Sequence, residues 1–354
     1  MKKNALFLAL AVFSATAFAY NPPAGGEQLT SIAAPELLSG SASASGGALY
    51  DIVPASMAYN PAVTVFEQRT MIHLSYTGLF NTLKSSSSDS FYGQAFQIGT
   101  IVPTKWTVIS SYVQGTFSNI EQMDLGNSIM MRAGLAKDIT DNFYVGLNIY
   151  GGAFFGNGTD WTLGADLGAM YHMDYLGFLQ DVRIGASFTN LGKPVFHYKV
   201  TGIHGKSSQK FSDYPSVATP RLSFAATLFE TRNFKGGFSL DAYSPAFQNI
   251  CANASLGFSY KDMISLSTSY DVNLREIING KPLSWPSVRL GVKFAVNTSS
   301  INKENDDWAS SELSPSFAWQ NLYGGVHAFS AGTKFSIGQR DEEPPVIILW
   351  NGEE

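Results

Sequence analysis

Ser287-Val288-Arg289-Leu290-Gly291-Val292-Lys293-Phe294-Ala295-Val296 separates into two interleaved sequences. Val288, Leu290, Val292, Phe294 and Val296 form an apolar parity, while Ser287, Arg289, Gly291 and Lys293 hold the other. Successive side chains of a strand point to opposite faces, so the stretch predicts a strand with hydrocarbon on one side and a polar space on the other. The same split recurs in Trp161–Tyr171 against Thr162–His172, and in Val182–Phe188 against Arg183–Thr189. Its repetition between Ile72 and Ile337 with tight turns between predicts an all-β, transmembrane antiparallel β-barrel.

Candidate strands fall near 69–80, 91–102, 105–117, 127–137, 142–154, 160–172, 181–190, 220–229, 234–243, 250–260, 263–272, 286–297, 308–319 and 325–338, about fourteen in all, each near the roughly 9–11 residues a tilted spanning strand needs. The third alternates poorly, and Pro315 interrupts the thirteenth. Short turns at Pro103-Thr104, Asp138–Asp141, Glu230–Asn233 and Lys261-Asp262 mostly alternate with longer links at Asn81–Ser90, Asn119–Gly126, Leu191–Thr219 and Asn273–Trp285. That is the rhythm of periplasmic turns and outward loops. Met173–Gln180 and Asn297–Asp307 read as periplasmic turns longer than this pattern expects.

Composition agrees with a wall in lipid. Charged residues are 14% of the chain, below the roughly 25% of soluble domains, and aromatics are 13%. A soluble secreted sandwich also alternates, but it carries more Lys and Glu on its outer faces. Met1-Lys2-Lys3, the apolar run Ala5–Phe18 and Ala17-Phe18-Ala19 have the form of a secretory signal peptide over 1–19. The net charge of −5 with sparse basic residues excludes a nucleic-acid partner, and Cys251 has no second cysteine to bridge. The organisation expected is signal peptide 1–19, an N-terminal hatch 20–68, barrel 69–338 and a periplasmic tail 339–354. An even strand number puts both ends of the barrel on the periplasmic side.

Ser45-Gly46-Gly47-Ala48, followed by Ala58-Tyr59-Asn60-Pro61-Ala62 just ahead of the first strand, resembles the hatch of the FadL-type long-chain fatty acid transporter superfamily. Gly164-Ala165-Asp166-Leu167-Gly168 and Gly185-Ala186-Ser187-Phe188-Thr189-Asn190-Leu191-Gly192 are similar to its PorV-type branch, and the whole pattern to spirochaetal FadL-like outer-membrane proteins. The resemblance implies a fourteen-stranded barrel corked by its N-terminal segment, with Gly46, Gly47, Asn60, Pro61 and Ala62 as hatch residues. It also implies a hydrophobic ligand caught near the outer loops, which passes an apolar pocket and leaves sideways beside a kinked third strand as the plug moves. Trp106–Thr116 departs from that pattern, having no proline and only Gly115.

Charges within strands fall on the parity opposite the apolar one: Arg132, Asp166, Arg183, Arg221, Asp241, Asp271, Arg289, Lys293 and Lys334. A Lys or Arg on the lipid face near the midplane costs about 2–4 kcal/mol, which explains the partition. Six of the nine are basic, a local excess that could attract a ligand carboxylate. Pairing with the wall acids and with Glu27, Glu36, Asp51 or Glu67 of the plug is the simpler expectation. The loop Leu191–Thr219, with Phe196, Tyr198, Phe211 and Tyr214 beside Lys193, Lys199, Lys206 and Lys210, suits capture of a hydrophobic acid or contact with lipid head groups.

Histidines 73, 172, 197, 204 and 327 show no metal-ligand spacing, and no G-x-S-x-G elbow selects a nucleophile. The sequence thus predicts a non-enzymatic, cofactor-free bacterial outer-membrane protein. Its partners are membrane lipid and a hydrophobic small molecule such as a fatty acid, and it is read as a monomer. The rival readings are a PorV-like secretion accessory that binds protein cargo and a general diffusion porin.

Overall fold

The computed structural model describes residues 31–82, 92–118, 126–155, 159–193, 195, 218–278, 285–297, 310–322 and 325–338. The expected signal peptide, the start of the hatch with Glu27, most of the Leu191–Thr219 loop and the C-terminal tail lie outside them. No helix among the described residues is long and apolar enough to cross a membrane. The crossing is made by strands.

These are β1 (Thr70–Asn81), β2 (Tyr92–Pro103), β3 (Val108–Ser118), β4 (Gly126–Thr140), β5 (Phe143–Phe155), β6 (Thr159–Leu176), β7 (Leu179–Lys193) and β8 (Thr219–Glu230). There follow β9 (Phe234–Tyr243), β10 (Cys251–Tyr260), β11 (Ile264–Asn273), β12 (Ser287–Val292), β13 (Phe294–Asn297), β14 (Ser310–Asn321) and β15 (Val326–Ile337). β1 to β12 pair antiparallel in chain order, β12 and β13 both pair with β14, β14 pairs with β15 and β15 with β1, so the sheet closes on itself. Closure removes the open edges that hydrocarbon cannot satisfy. Because β12 and β13 follow one another along the same edge of β14, the wall is fourteen strands around.

The split between those two pieces corrects the reading of Ser287–Val296 as one unbroken strand. The ladder to β14 stops at Gly291↔Ser316 and resumes at Phe294↔Leu313. Opposite the gap stands Pro315, which has no N–H to donate. Its other side stays in register with Thr333 of β15. A second correction concerns Met173–Gln180, where both strands continue to a tight turn at Gly177-Phe178 with Leu176 facing Leu179. Gly177 there takes φ +66°, a conformation that suits glycine.

The apolar parity faces out. Ile72 and Leu74 on β1, Met131 and Leu135 on β4, Leu222 on β8 and Leu256 on β10 are exposed. Trp106, Tyr175 and Phe178 lie at the short-turn end, and Trp161 and Trp285 toward the long-loop end. Such an apolar belt between aromatic rims is the surface of an outer-membrane barrel. β3 alternates after all, with Val108, Ser110 and Tyr112 buried inside and Ile109 and Val113 exposed.

Candidate functional site

Residues from Ser31 to Thr64 are nearly all buried, and the surface that buries them is the inner wall of the barrel. The segment enters through a short helix α1 (Pro35–Leu38), doubles back at the glycine pair, and descends through two 3-10 turns, Pro54–Ala58 and Pro61–Phe66. Gly46 and Gly47 have φ of +81° and +80°, and a side chain on Gly47 would strike the Gly40 carbonyl. That reversal needs glycine.

The wall makes room for this segment with its smallest residues. A side chain on Gly99 would meet Pro54, one on Gly146 the backbone of Pro61, one on Gly168 the Asn60 amide, and one on Gly185 the Ala44 carbonyl. Glycine within a strand marks such a close backbone approach. On the opposite side serines do the same work: Ser43 and Ser45 hydrogen-bond the Ser223 hydroxyl at 2.6 and 2.7 Å, and Ser39 and Ser267 exchange hydroxyl-to-carbonyl bonds of 3.2 Å.

Asn60 pins the descent. Its Oδ1 accepts from the Ala62 N–H at 2.9 Å, and its Nδ2 donates to the carbonyls of Ala44 (2.7 Å) and Ala169 on β6 (2.9 Å). Pro61 starts the 3-10 turn and rests on Gly146; Ala62 packs into an apolar cluster with Ile101, Tyr144 and Met170. The stretches Asn60–Ala62, Gly164–Gly168 and Gly185–Gly192 therefore meet in space. Ser187 donates to the Tyr59 carbonyl, and Asp166 accepts the Asn190 N–H at a bulge where Asn190 has φ +59°.

The charges expected in the lumen are divided among internal partners. Arg132 lies 3.2 Å from Asp166 and over the Tyr150 ring. Arg183 reaches Asp181 at 3.5 Å, donates to the Ser45 carbonyl at 3.2 Å and stacks on Tyr50. Arg221 pairs with Asp241, whose other oxygen accepts the Ala44 N–H at 3.0 Å. Arg289 and Lys334 both bind Asp51, and Glu36, fully buried, faces His73 at 3.2 Å, Arg289 at 4.0 Å and the Ser316 hydroxyl at 2.6 Å. Burial acts to raise the Glu36 carboxyl, but the His73 imidazole and the Arg289 guanidinium outweigh it and hold the group down to about 2. Asp271 accepts from Asn253 at 2.7 Å.

Lys293 is the exception. It sits at the strand break and pairs at 2.5 Å with Asp262 in the exposed β10–β11 turn, so it belongs to the rim and not to the lumen. The cationic excess also disappears once the plug is counted. Among the described residues every remaining basic candidate has an acidic partner, and two of the acids, Glu36 and Asp51, come from the plug. Glu67 instead accepts the Arg69 N–H.

Sequence reasoning missed His73, the lumen-facing glycines and a change of character toward the long-loop end. There Leu79, Ala95, Phe154, Val326 and Ala328 point inward and join Ile32, Ala33 and Leu38 in one apolar cluster over the plug. The signal was present in Leu79 and Phe154, apolar residues on the otherwise polar parity. At the short-turn end Phe66 packs edge-on against Tyr144 (4.6 Å), Tyr50 (5.5 Å) and His172 (5.5 Å). β3 pairs with β2 and β4 without a register shift.

No family model and no curated protein matches the chain. Solved structures do. The toluene transporter TbuX of Ralstonia pickettii aligns with a TM-score of 0.51 at 11% identity, covering 88% of this chain and 99% of that one. A deltaS2 mutant of the monoaromatic hydrocarbon channel TodX aligns at 0.53 and 13% identity, covering 88% and 100%. A FadL homologue of Pseudomonas aeruginosa aligns at 0.46 and 11% identity over 86% and 97%. With its fourteen-stranded closed wall, the chain shares the fold of the TbuX and TodX barrels.

Proposed function

We propose that this barrel is a passive route for hydrophobic small molecules across the outer membrane. The class includes the long-chain fatty acids expected from the sequence and the aromatic hydrocarbons named for TodX. The observation that carries the reading is the apolar cluster at the long-loop end of the lumen, where Leu79, Phe154, Val326 and Ala328 of the wall meet Ile32 and Leu38 of the plug, a counterpart to the apolar cluster around Ile101 and Met170 at the other end. A greasy surface at that depth lowers the cost of bringing an apolar solute out of the head-group region. The packed plug weighs against a general diffusion porin, because Gly, Ser and ion-pair contacts leave the mid-lumen to the chain itself. Passage then requires the plug to shift, and the continuous β3 supports a route through the bore over one through the wall. No cofactor is needed, since a concentration gradient supplies the drive.

Proteoliposomes test this directly. The full chain should speed entry of labelled toluene or oleate while leaving vesicles tight to sugars. Sugar-driven swelling at the rate of an open porin, without hydrophobe entry, would refute the proposal.

A further inference from the structure

The outer end of the lumen has two unlike sides. Facing the apolar cluster, β11 and β14 present hydrogen-bond acceptors. Asp271 points inward and takes donors from Asn253 at 2.7 Å and from the Gln320 amide. The base that acts on it, Arg221, is ion-paired with Asp241. Gln320 is 1% exposed, and its Oε1 has no donor among the described residues. Gln320 stands in register with Ala328 and two residues from Ala318, both members of the apolar cluster. A half-buried carboxylate that already holds two amide donors, and a buried amide oxygen with no donor among the described residues, therefore border the apolar cluster.

We propose that this corner is the head-group subsite for an amphipath with an apolar body and a hydrogen-bond-donating, non-anionic head, an alcohol or an ammonium. Asp271 and Gln320 are its acceptors. The inference rests on the uptake reading and narrows it. A carboxylate head would meet like charge at Asp271, and the lumen bases that could have attracted it face acids already.

The test uses the full chain in zwitterionic nanodiscs, with dodecylammonium, 1-dodecanol and dodecanoate displacing a neutral fluorescent reporter. Dodecylammonium and dodecanol should bind more tightly than dodecanoate by roughly tenfold to a hundredfold, the size of a hydrogen bond to a charged group. Asp271→Asn should collapse the ammonium preference, and Gln320→Leu should weaken dodecanol, with the melting temperature of each variant confirming a folded barrel. Equal binding of dodecanoate, or an unchanged preference in folded Asp271→Asn, overturns the subsite and leaves uptake standing. If no probe binds and toluene entry also fails, the uptake reading falls and takes the subsite with it.

Discussion

Removing the Asp51 carboxylate should loosen the plug. Asp51 is the acid that both Arg289 and Lys334 bind, and those side chains are 4% and 13% exposed. Taking one partner from a buried pair leaves an uncompensated charge and costs about 3–5 kcal/mol. Glu36 still stands 4.0 Å from Arg289, so the loss falls mainly on Lys334. If the seated and displaced plug are in equilibrium, that cost multiplies the displaced fraction by roughly two to four powers of ten. The fraction can be read with a reporter cysteine at Ser43, which is 1% exposed and bonded to Ser223, in a Cys251→Ala background. Its maleimide labelling rate follows the open population when reseating is fast.

Asp51→Ala should label faster by that factor while the barrel keeps its strand content. Asp51→Ala/Lys334→Met should recover much of the protection, because a buried ion pair replaced by apolar side chains is close to neutral. A folded Asp51→Ala barrel labelling at the parent rate would show that the ionic clasp does not hold the plug.

Three further outcomes follow from the same contacts. Gly168→Val puts a branched side chain where Asn60 and Pro61 sit. Overpacking of this kind costs about 1–3 kcal/mol, and plug labelling should rise with little change in the melting of the wall. For acid sensitivity, Glu36 is depressed from 4.5 to about 2 in the folded protein, so its contribution is fully present above 4.5 and is lost as pH falls through about 2. Pepsin cleavage within residues 31–66 should therefore accelerate across that window, and Glu36→Gln, with no carboxyl to protonate, should flatten the profile. Lys293→Gln removes a rim pair whose acid is 77% exposed, so melting should move by less than about 1 kcal/mol.

The wall was legible because its cause is local. Two-residue alternation, set by lipid on one face, is written in each strand separately, and thirteen of the fourteen wall positions needed only shifts at their ends. The places where that reading failed are those where a non-local partner decides. Nothing within Ser287–Val296 announces a break at Lys293; the cause is Pro315 on the facing strand. The Met173–Gln180 turn looked long because Asp174 and Gly177 interrupt the pattern, although the hairpin runs through to Gly177.

The lumen shows the deeper limit. Alternation tells which residues avoid lipid, and it is silent on what they meet instead. Read from the wall alone, Arg132, Arg183, Arg221, Arg289 and Lys334 outnumber Asp166, Asp241 and Asp271 and suggest a surface awaiting an anion. The plug supplies the missing acids, in line with the pairing expected of Glu36 and Asp51: Asp51 answers two bases, and Glu36 lies 4.0 Å from Arg289. What the sequence did contain was a record of close approach: glycines at 99, 146, 168 and 185 on the inward parity, where a solvated channel would carry polar side chains instead. A glycine costs a strand packing and entropy, so a series of them facing a bore implies another backbone pressed against it. The polar parity of this barrel is therefore chiefly a mould for residues 31–66, and the mould changes character between the apolar cluster at Leu79, Phe154 and Ala328 and the acceptors of Asp271 and Gln320, the corner proposed above as a subsite.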